Sequence, residues 1–308
     1  MKYVNIDLPV KKRGFRRFIS SWLVRDEKKD RTYLVDTGPA STWPIVQNAV
    51  ETHGGGRVDA VLLTHVHLDH AGGAGLAVSE YGARIAAAPR GVPHLLEPSA
   101  LWKGSVDTLG DTAFLYGEPV PVPGDSLFAP GMLPEGFSSI DTPGHASHHQ
   151  SFILDEGNGE RILFAGEAAG IFLEGEEPFP YLRPATPPRF FPDVTLDSIE
   201  RLMKADCRRI CYSHFGAADG AKDMLRLAKD QILFWKDVVI ALFRKGVSPA
   251  DEETIFLELL ERDPFLAAWR NLESDIRDRE REFIGNSIRG FCGAFGAEKR
   301  QIKKQMEP

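Results

Sequence analysis

The chain has 308 residues, 43% of them hydrophobic and 26% charged, with a formal net charge of −7. That apolar share is ample for a packed core, in one large domain with an appendage or in two domains. The acidic balance without a long basic run disfavours a nucleic-acid partner, and no stretch of about 18 apolar residues is present to span a bilayer. The opening residues, Met1 to Leu8, lack a basic-then-apolar leader pattern. Cys207, Cys211 and Cys292 are too few and too irregular for a disulfide framework, so buried free thiols in a reducing compartment are expected. The expectation is a cytoplasmic protein acting on a small-molecule substrate, with neither nucleic acid nor membrane as partner.

Short β-like runs come first, at residues 18–19, 22–24 and 32–35, the last ending in Asp36-Thr37-Gly38. Taken alone, Asp36 is a turn residue. A helix is predicted over residues 43–51. An apolar strand over residues 60–63 then leads into Thr64-His65-Val66-His67-Leu68-Asp69-His70-Ala71-Gly72-Gly73. Four metal-capable side chains within this run make a poor core and a good site for divalent ions. On an extended strand end His65 and His67 share a side, because side chains two apart do, and two imidazoles can grip one ion at about 2.0–2.1 Å. Asp69 and His70 follow as the chain turns, so they suit a neighbouring ion.

Another strand is predicted at residues 84–86. Residues 91–136, rich in Pro and Gly and carrying Trp102, Phe114 and Tyr116, read as helical or loop cover beside the metal loops. Strands resume near residue 140, at 151–154 and at 161–164. The first leads into Thr142-Pro143-Gly144-His145-Ala146-Ser147-His148-His149, and the last into Ala165-Gly166-Glu167. A Pro-rich loop over residues 174–192 contains Tyr181, a side chain able to donate to a substrate carbonyl, although tyrosines in such loops more often pack. A helix is expected at residues 196–204, then a strand at Ile210-Cys211-Tyr212 leading to Ser213-His214. These clustered histidines lie just beyond strand-like runs, where α/β proteins hold chemistry on loops carried by a rigid sheet. His53 and His94 have no motif partner and read as surface residues. His148 stands open between pocket and solvent.

After His214, Met224, Ala228, Ile232, Trp235, Val239 and Leu242 recur every three or four residues and mark the apolar face of a long helix. Gly246 is placed to end it. Ser248-Pro249-Ala250-Asp251 has the N-cap, N1-proline and acidic first turn of a new helix, and Asp263-Pro264 repeats the signal. A last helix is predicted over residues 265–289, with Leu266, Trp269, Leu272, Ile276 and Phe283 facing inward. Such a region buries itself against the core or against a second copy, so a homodimer stands open.

From Asp36 to His214, nearly three fifths of the chain, the motifs resemble in kind and order those of the metallo-β-lactamase superfamily: a D-T-G strand end, H-x-H-x-D-H, a G-H loop, a G-D strand end and a late His. The resemblance implies an α/β fold, the four-layer αββα sandwich, here with a C-terminal helical extension. Residues 1–217 would form the catalytic domain, with 91–136 as a lid or cover insertion, and 218–308 a helical region packing on the core. It implies one metal on His65, His67 and His145 and a second on Asp69, His70 and His214, with a carboxylate of the fourth motif bridging them. That position holds Glu167, not the usual Asp. The longer side chain leaves open whether it bridges two metals, binds one only or weakens the second site. Asp36 resembles the buried carboxylate that orients the first His loop, and His149 the histidine that supports the ligands from behind. Two divalent ions are implied, zinc first, with iron or manganese as alternatives because such ligands suit them in overlapping ways.

A divalent metal lowers the pKa of its water from about 15.7 to about 7, and two ions about 3.5–4 Å apart can share the resulting hydroxide. The motif set is similar to that of glyoxalase II and, through the stretch from His145 to Ser151, to that of acyl-homoserine lactonases. It implies a hydrolase whose metal-bound hydroxide attacks an ester, thioester or lactone, with Asp69 both ligating and orienting the nucleophile. The alternatives are a mononuclear iron oxidoreductase resembling persulfide dioxygenases, a metal-dependent phosphodiesterase and a non-catalytic metal-binding protein. A Glu167 that disrupts the second site would favour the first of these. The C-terminal helices read as cover on the core, or more sharply as a wall of the substrate pocket, as in glyoxalase II.

Overall fold

Alternation of apolar side chains along the strands decides the architecture. The computed structural model describes residues 1–157, 159–173, 180–187 and 189–306, with side chains through residue 296. Strands β1 (Lys2–Asp7), β2 (Ser20–Asp26), β3 (Arg31–Val35), β4 (Ala60–Leu62) and β5 (Arg84–Ala86) form a five-stranded sheet in that order. Its first three strands are antiparallel and its last three parallel. A second sheet holds β6 (Phe137–Asp141), β7 (Gln150–Asp155), β8 (Arg161–Gly166), β11 (Arg209–Tyr212) and β12 (Ala217–Asp219), with β8 and β11 parallel and the other pairs antiparallel. Between them in sequence, β9 (Ile171–Leu173) and β10 (Tyr181–Arg183) make a separate antiparallel pair.

Successive strand residues face opposite ways. Trp22, Val24, Tyr33, Val35 and Leu62 therefore meet Phe152, Leu154, Ile162 and Phe164 of the other sheet in one buried cluster. Their neighbours Leu23, Leu34 and Val61 turn outward onto the first helical layer, α1 (Trp43–His53) and, past the short α2 (Leu68–Ala71), α3 (Ala74–Tyr81). In the second sheet Ile153, Leu163, Ile210 and Tyr212 turn outward onto α7 (Pro192–Met203) and α8 (Ala221–Arg244). The result is four layers, αββα, with both faces of each sheet covered. Residues 91–136 supply α4 (Val92–Leu96), α5 (Ser99–Leu109) and α6 (Asp111–Tyr116). Helices α9 (Glu252–Arg262), α10 (Pro264–Ala267) and α11 (Ser274–Met306) share the outer core of the second sheet through Ile255, Leu259, Leu266, Ile284, Ile288 and Phe291.

Several predicted boundaries shift. Residues 18–19 belong to a loop, and the strand begins at Ser20. Helix α9 is capped by Asp251, whose carboxylate accepts from the Thr254 backbone N–H at 3.1 Å, while Ser248 serves the preceding turn by accepting from the Ala250 N–H. The helix predicted over residues 265–289 is broken: Asp263 caps only the four-residue α10, a 3-10 turn follows at Ala268–Asn271, and α11 starts afresh at Ser274. Of its predicted inward residues, Leu266 and Ile276 are buried and Trp269, Leu272 and Phe283 half-buried. Within the Pro-rich stretch, residues 174–179 and 188 lie outside the described residues, and the remainder includes β10. All three cysteines are buried. Among the described residues no helix is long and apolar enough to cross a membrane.

Candidate metal centre

The residues singled out by the motifs converge at one edge of the two sheets. His65 follows β4 and is buried; His67 has extended backbone (φ −63°, ψ 154°) and is the N-cap of α2. Asp69 and His70 ride on α2 itself, a helical turn in place of the simple chain reversal expected. His145, His148 and His149 occupy the β6–β7 turn, Glu167 follows β8, and His214 follows β11. Ligand atoms of His65, His67, His145 and Glu167 lie within 4.8 Å of one another, as do those of Asp69, His70 and His214, so each group could hold a metal ion. The sequence grouping is reproduced in space, with Glu167 on the side of His65, His67 and His145.

The Glu167 carboxylate also faces the other group. Its Oε2 is 2.9 Å from His145 Nε2, 3.3 Å from His65 Nε2 and 3.5 Å from His70 Nε2, and its Oε1 is 3.6 Å from His214 Nε2. Asp69 Oδ2 lies 3.6 Å from His70 Nε2 and 3.5 Å from His214 Nε2.

Tautomers follow from the acceptors behind the rings. A carboxylate or carbonyl only accepts, so His70 donates from Nδ1 to Asp36 at 3.0 Å and His214 donates from Nδ1 to the Phe18 carbonyl at 2.7 Å. His145 Nδ1 similarly meets the Ala185 carbonyl at 3.3 Å. Each ring then turns its Nε2 edge toward carboxylate oxygens, and His70 Nε2 is buried with no hydrogen-bond partner. His67 Nδ1 sits 3.0 Å from His65 Nε2 and 3.1 Å from His145 Nε2. Converging lone pairs and carboxylates repel unless positive charge lies among them, so this donor set fits divalent cations.

The protonation tendencies divide the histidines: burial would lower His70 and His145, but Asp69, then Asp36 and Glu167, raise His70 well above its usual range, and Glu167 raises His145. Burial, followed by the charges of His70 and His67, holds His65 well below its usual range, and burial with His145 pushes His67 down to about 3. Burial would raise Glu167, but His145 and His214 more than offset it and keep the carboxyl well below normal. Asp69 is likewise lowered against burial, by His70 and His214.

Asp36 anchors the centre. It is fully buried at φ +57°, a left-handed conformation that Asp tolerates better than most residues. Its carboxylate accepts from the Thr64 N–H and hydroxyl, both at 2.8 Å, and from Ser213 Oγ at 2.8 Å, besides His70. It thus ties the His65 loop to the His214 loop across the sheets, which no local turn reading of Asp-Thr-Gly conveys. His149 Nε2 accepts the Glu167 backbone N–H at 3.0 Å while its Nδ1 donates to Thr142 Oγ1 at 2.8 Å. That bond fixes the loop on which Glu167 stands.

Other expectations change. Tyr181 does not reach the site: it is fully buried and its hydroxyl donates to Glu280 Oε2 at 2.8 Å. His53 is exposed, but His94 is half-buried with its ring 6.4 Å from that of His148. His148 lies 5.8 Å from the His67 ring and 6.2 Å from the His65 ring, with a buried Nδ1 that has no partner. Burial, then His94 and His145, pushes it down to about 4. Tyr116, at the end of α6, is buried, and burial, then the charges of Asp69 and Glu167, raises its phenol well above normal. Neither Tyr116 nor His94 carries a signal in sequence spacing, because the 91–136 segment brings them in from outside the motifs.

A family model described as the metallo-beta-lactamase superfamily matches residues 14–214. The metallo-beta-lactamase fold-containing protein ST1585 of Sulfurisphaera tokodaii is 27% identical over 172 residues, covering 52% of this chain and 61% of that protein. A hydroxyacylglutathione hydrolase of Albidiferax ferrireducens is 26% identical over 204 residues, covering 63% and 60%. The chain spans about three fifths of the length of these curated relatives. Among solved structures, the metallo-beta-lactamase family protein TTHA1429 from Thermus thermophilus matches with a TM-score of 0.60 at 21% identity, covering 96% of this chain and 93% of that one. The archaeal ST1585 structure matches with a TM-score of 0.58 at 21% identity, covering 75% and 86%. At such identities the structural likeness is one of fold.

Proposed function

The chain belongs to the metallo-β-lactamase superfamily, and from that premise we propose that it is a metal-dependent hydrolase of a small-molecule ester, thioester or lactone. In this reading His65, His67 and His145 hold one divalent cation, Asp69, His70 and His214 hold a second, and Glu167 stands between them. Zinc is the first expectation, ahead of iron or manganese. Residues 1–217 act as the catalytic domain, 91–136 as its lid and 218–308 as helical cover, in the cytoplasm and without a nucleic-acid or membrane partner.

The observation that carries this proposal is the Glu167 carboxylate, whose Oε2 approaches His145 at 2.9 Å while its Oε1 approaches His214 at 3.6 Å. One side chain addressing both groups supports two cations over one. It also weakens the ground for a mononuclear iron oxidoreductase, which was a glutamate unsuited to serving both sides. A relative named as a hydroxyacylglutathione hydrolase supports transfer of an acyl group to water.

When bound, divalent cations supply Lewis-acid polarisation of a carbonyl and acidify water toward neutral pH. The chain's own residues provide orientation. Asp36 and the Phe18 carbonyl hold His70 and His214 with Nε2 toward the centre. Asp69, half-buried with Oδ2 toward His70 and His214, would accept a hydrogen bond from the attacking water and orient it. His149 keeps the Glu167 loop in register.

Metal analysis of the purified protein together with a panel of ester, thioester, lactone, phosphodiester and β-lactam substrates tests the proposal. About two ions per chain and turnover of an acyl substrate are expected, with His67→Ala and Asp69→Ala abolishing turnover while circular dichroism stays native. A single iron per chain with oxygen consumption, or full activity in both variants, would overturn it.

A further inference from the structure

His214 is held at its Nδ1 and against its ring by one and the same residue. Its Nδ1 donates to the backbone carbonyl of Phe18, and the Phe18 ring lies 4.6 Å from the imidazole, so a single residue of the β1–β2 loop sets both the tautomer and the tilt of His214. That loop, residues 8–19, is in turn fastened from α11. Arg279 Nη1 donates to the carbonyls of Gly14 at 2.6 Å and Arg16 at 2.9 Å, and its guanidinium lies 4.4 Å from the centroid of the Phe18 ring. Phe283, one turn further along the helix, packs on the loop with its ring 4.9 Å from Phe18.

The fastening is deliberate in its chemistry. Arg279 is 3% exposed and Glu280 not exposed at all. Arg279 Nε donates to Glu280 Oε1 at 2.9 Å, while Glu280 Oε2 accepts from Arg183 at 2.6 Å and Tyr181 at 2.8 Å. A buried guanidinium is costly unless it is paired and its donors satisfied. Here Nη1 is used on both loop carbonyls and Nε on Glu280, while Nη2 is ion-paired at 2.9 Å from Glu280 Oε1 but makes no hydrogen bond; lysine does not reproduce this fork. Gly14, at φ +79°, lies so close to the Asp275 carbonyl of α11 that a β-carbon would collide with it.

We propose that Arg279 is a positioning residue for His214: through the Phe18 loop, α11 holds one ligand of the Asp69 group in place. The inference rests on the proposed role of Asp69, His70 and His214 as one metal's ligands. It makes the C-terminal helix part of the centre, where cover alone would leave the His214 ring indifferent to it. Support behind a histidine ligand commonly governs metal affinity by about 10–100-fold.

Arg279→Met keeps the stem and removes the fork. The expected result is a native-like circular dichroism spectrum, unchanged affinity for the first zinc or cobalt ion and about 10–100-fold weaker uptake of the second. In the metal-free protein, the hydrogen-bonded His214 Nδ1–H resonance, assigned with His214→Gln, should be lost or broadened. A folded variant with wild-type affinity for the second ion and an intact Nδ1–H signal overturns the inference. If Arg279→Met does not fold, Phe283→Ala decides by the same two readouts, a smaller shift in the same direction supporting the inference and none overturning it. A wild-type chain that takes up fewer than two ions would sink the proposed function, and the imidazole resonance would still decide the role of Arg279.

Discussion

Gly166→Ala perturbs the centre without touching any candidate ligand. Gly166 sits at φ +60° between β8 and Glu167, and a β-carbon there would lie 2.7 Å from His149 Cε1 and 3.0 Å from Thr64 Cβ, with His149 Nε2 closer still. Left-handed backbone costs an alanine roughly 1–2 kcal/mol. Neither neighbour can yield freely, since His149 is tied to Thr142 and to the Glu167 N–H and Thr64 to Asp36. Moving the ring would strand the Glu167 N–H, about 1–3 kcal/mol, and the crowding adds about 1–3 kcal/mol. The sum is roughly 3–8 kcal/mol, which at about 2.1 cal/mol/K of unfolding entropy per residue lowers Tm by about 5–12 °C. Thermal unfolding of the metal-free protein by circular dichroism measures this apart from metal linkage, and metal titration then shows whether the displaced Glu167 loop weakens uptake. A metal-free variant melting within about 2 °C of wild type, with undiminished uptake, would refute the argument.

Tyr181→Phe removes a donor to Glu280 and should cost about 1–3 kcal/mol of stability with turnover unaffected; a selective loss of kcat would return Tyr181 to the substrate site. Burial would raise Glu280, but Arg183 and Arg279 hold it down to about 2 from an ordinary 4.5. Its contribution, about 3 kcal/mol, is therefore present above pH 4.5 and lost as pH falls toward 2. Denaturant titrations across that window should show a stability slope that Glu280→Gln flattens, and equal slopes would contradict the pairing. Cys207 is 8% exposed and pushed up to about 11 by burial, and burial raises Cys211 further. Thiol reagents should label them only after denaturation, and rapid labelling of the native protein would count against the packing.

How much of this was legible in the chain depends on range. The β-like character of residues 22–24, 32–35 and 151–154 is a local property, and strands form there. The periodic face from Met224 to Leu242 fixes α8 in the same way. The break at residues 268–271 escaped because the apolar spacing continues across it, while the chain is turned by the Asp263 cap and by the Trp269 indole bond to the Arg277 carbonyl. Strand β1 escaped because it is an edge strand whose residues are mostly half-buried, so no clean alternation marks it.

The sequence by itself determined which residues can bind metal and in what order, because His65 to His70 is a contiguous pattern and His145 and His214 sit beside recognisable strand ends. Tertiary structure decided what those residues face. Whether the glutamate at residue 167 reaches one group of ligands or both depends on how β8 lies against β4 and β11, a relation between segments far apart in the chain. The same holds for Tyr181, drawn into the core by Glu280, and for Phe18, whose carbonyl supports His214 only because α11 pins its loop. Such contacts carry no local periodicity. They exist only once burial has forced buried charges and lone pairs to find partners across the fold.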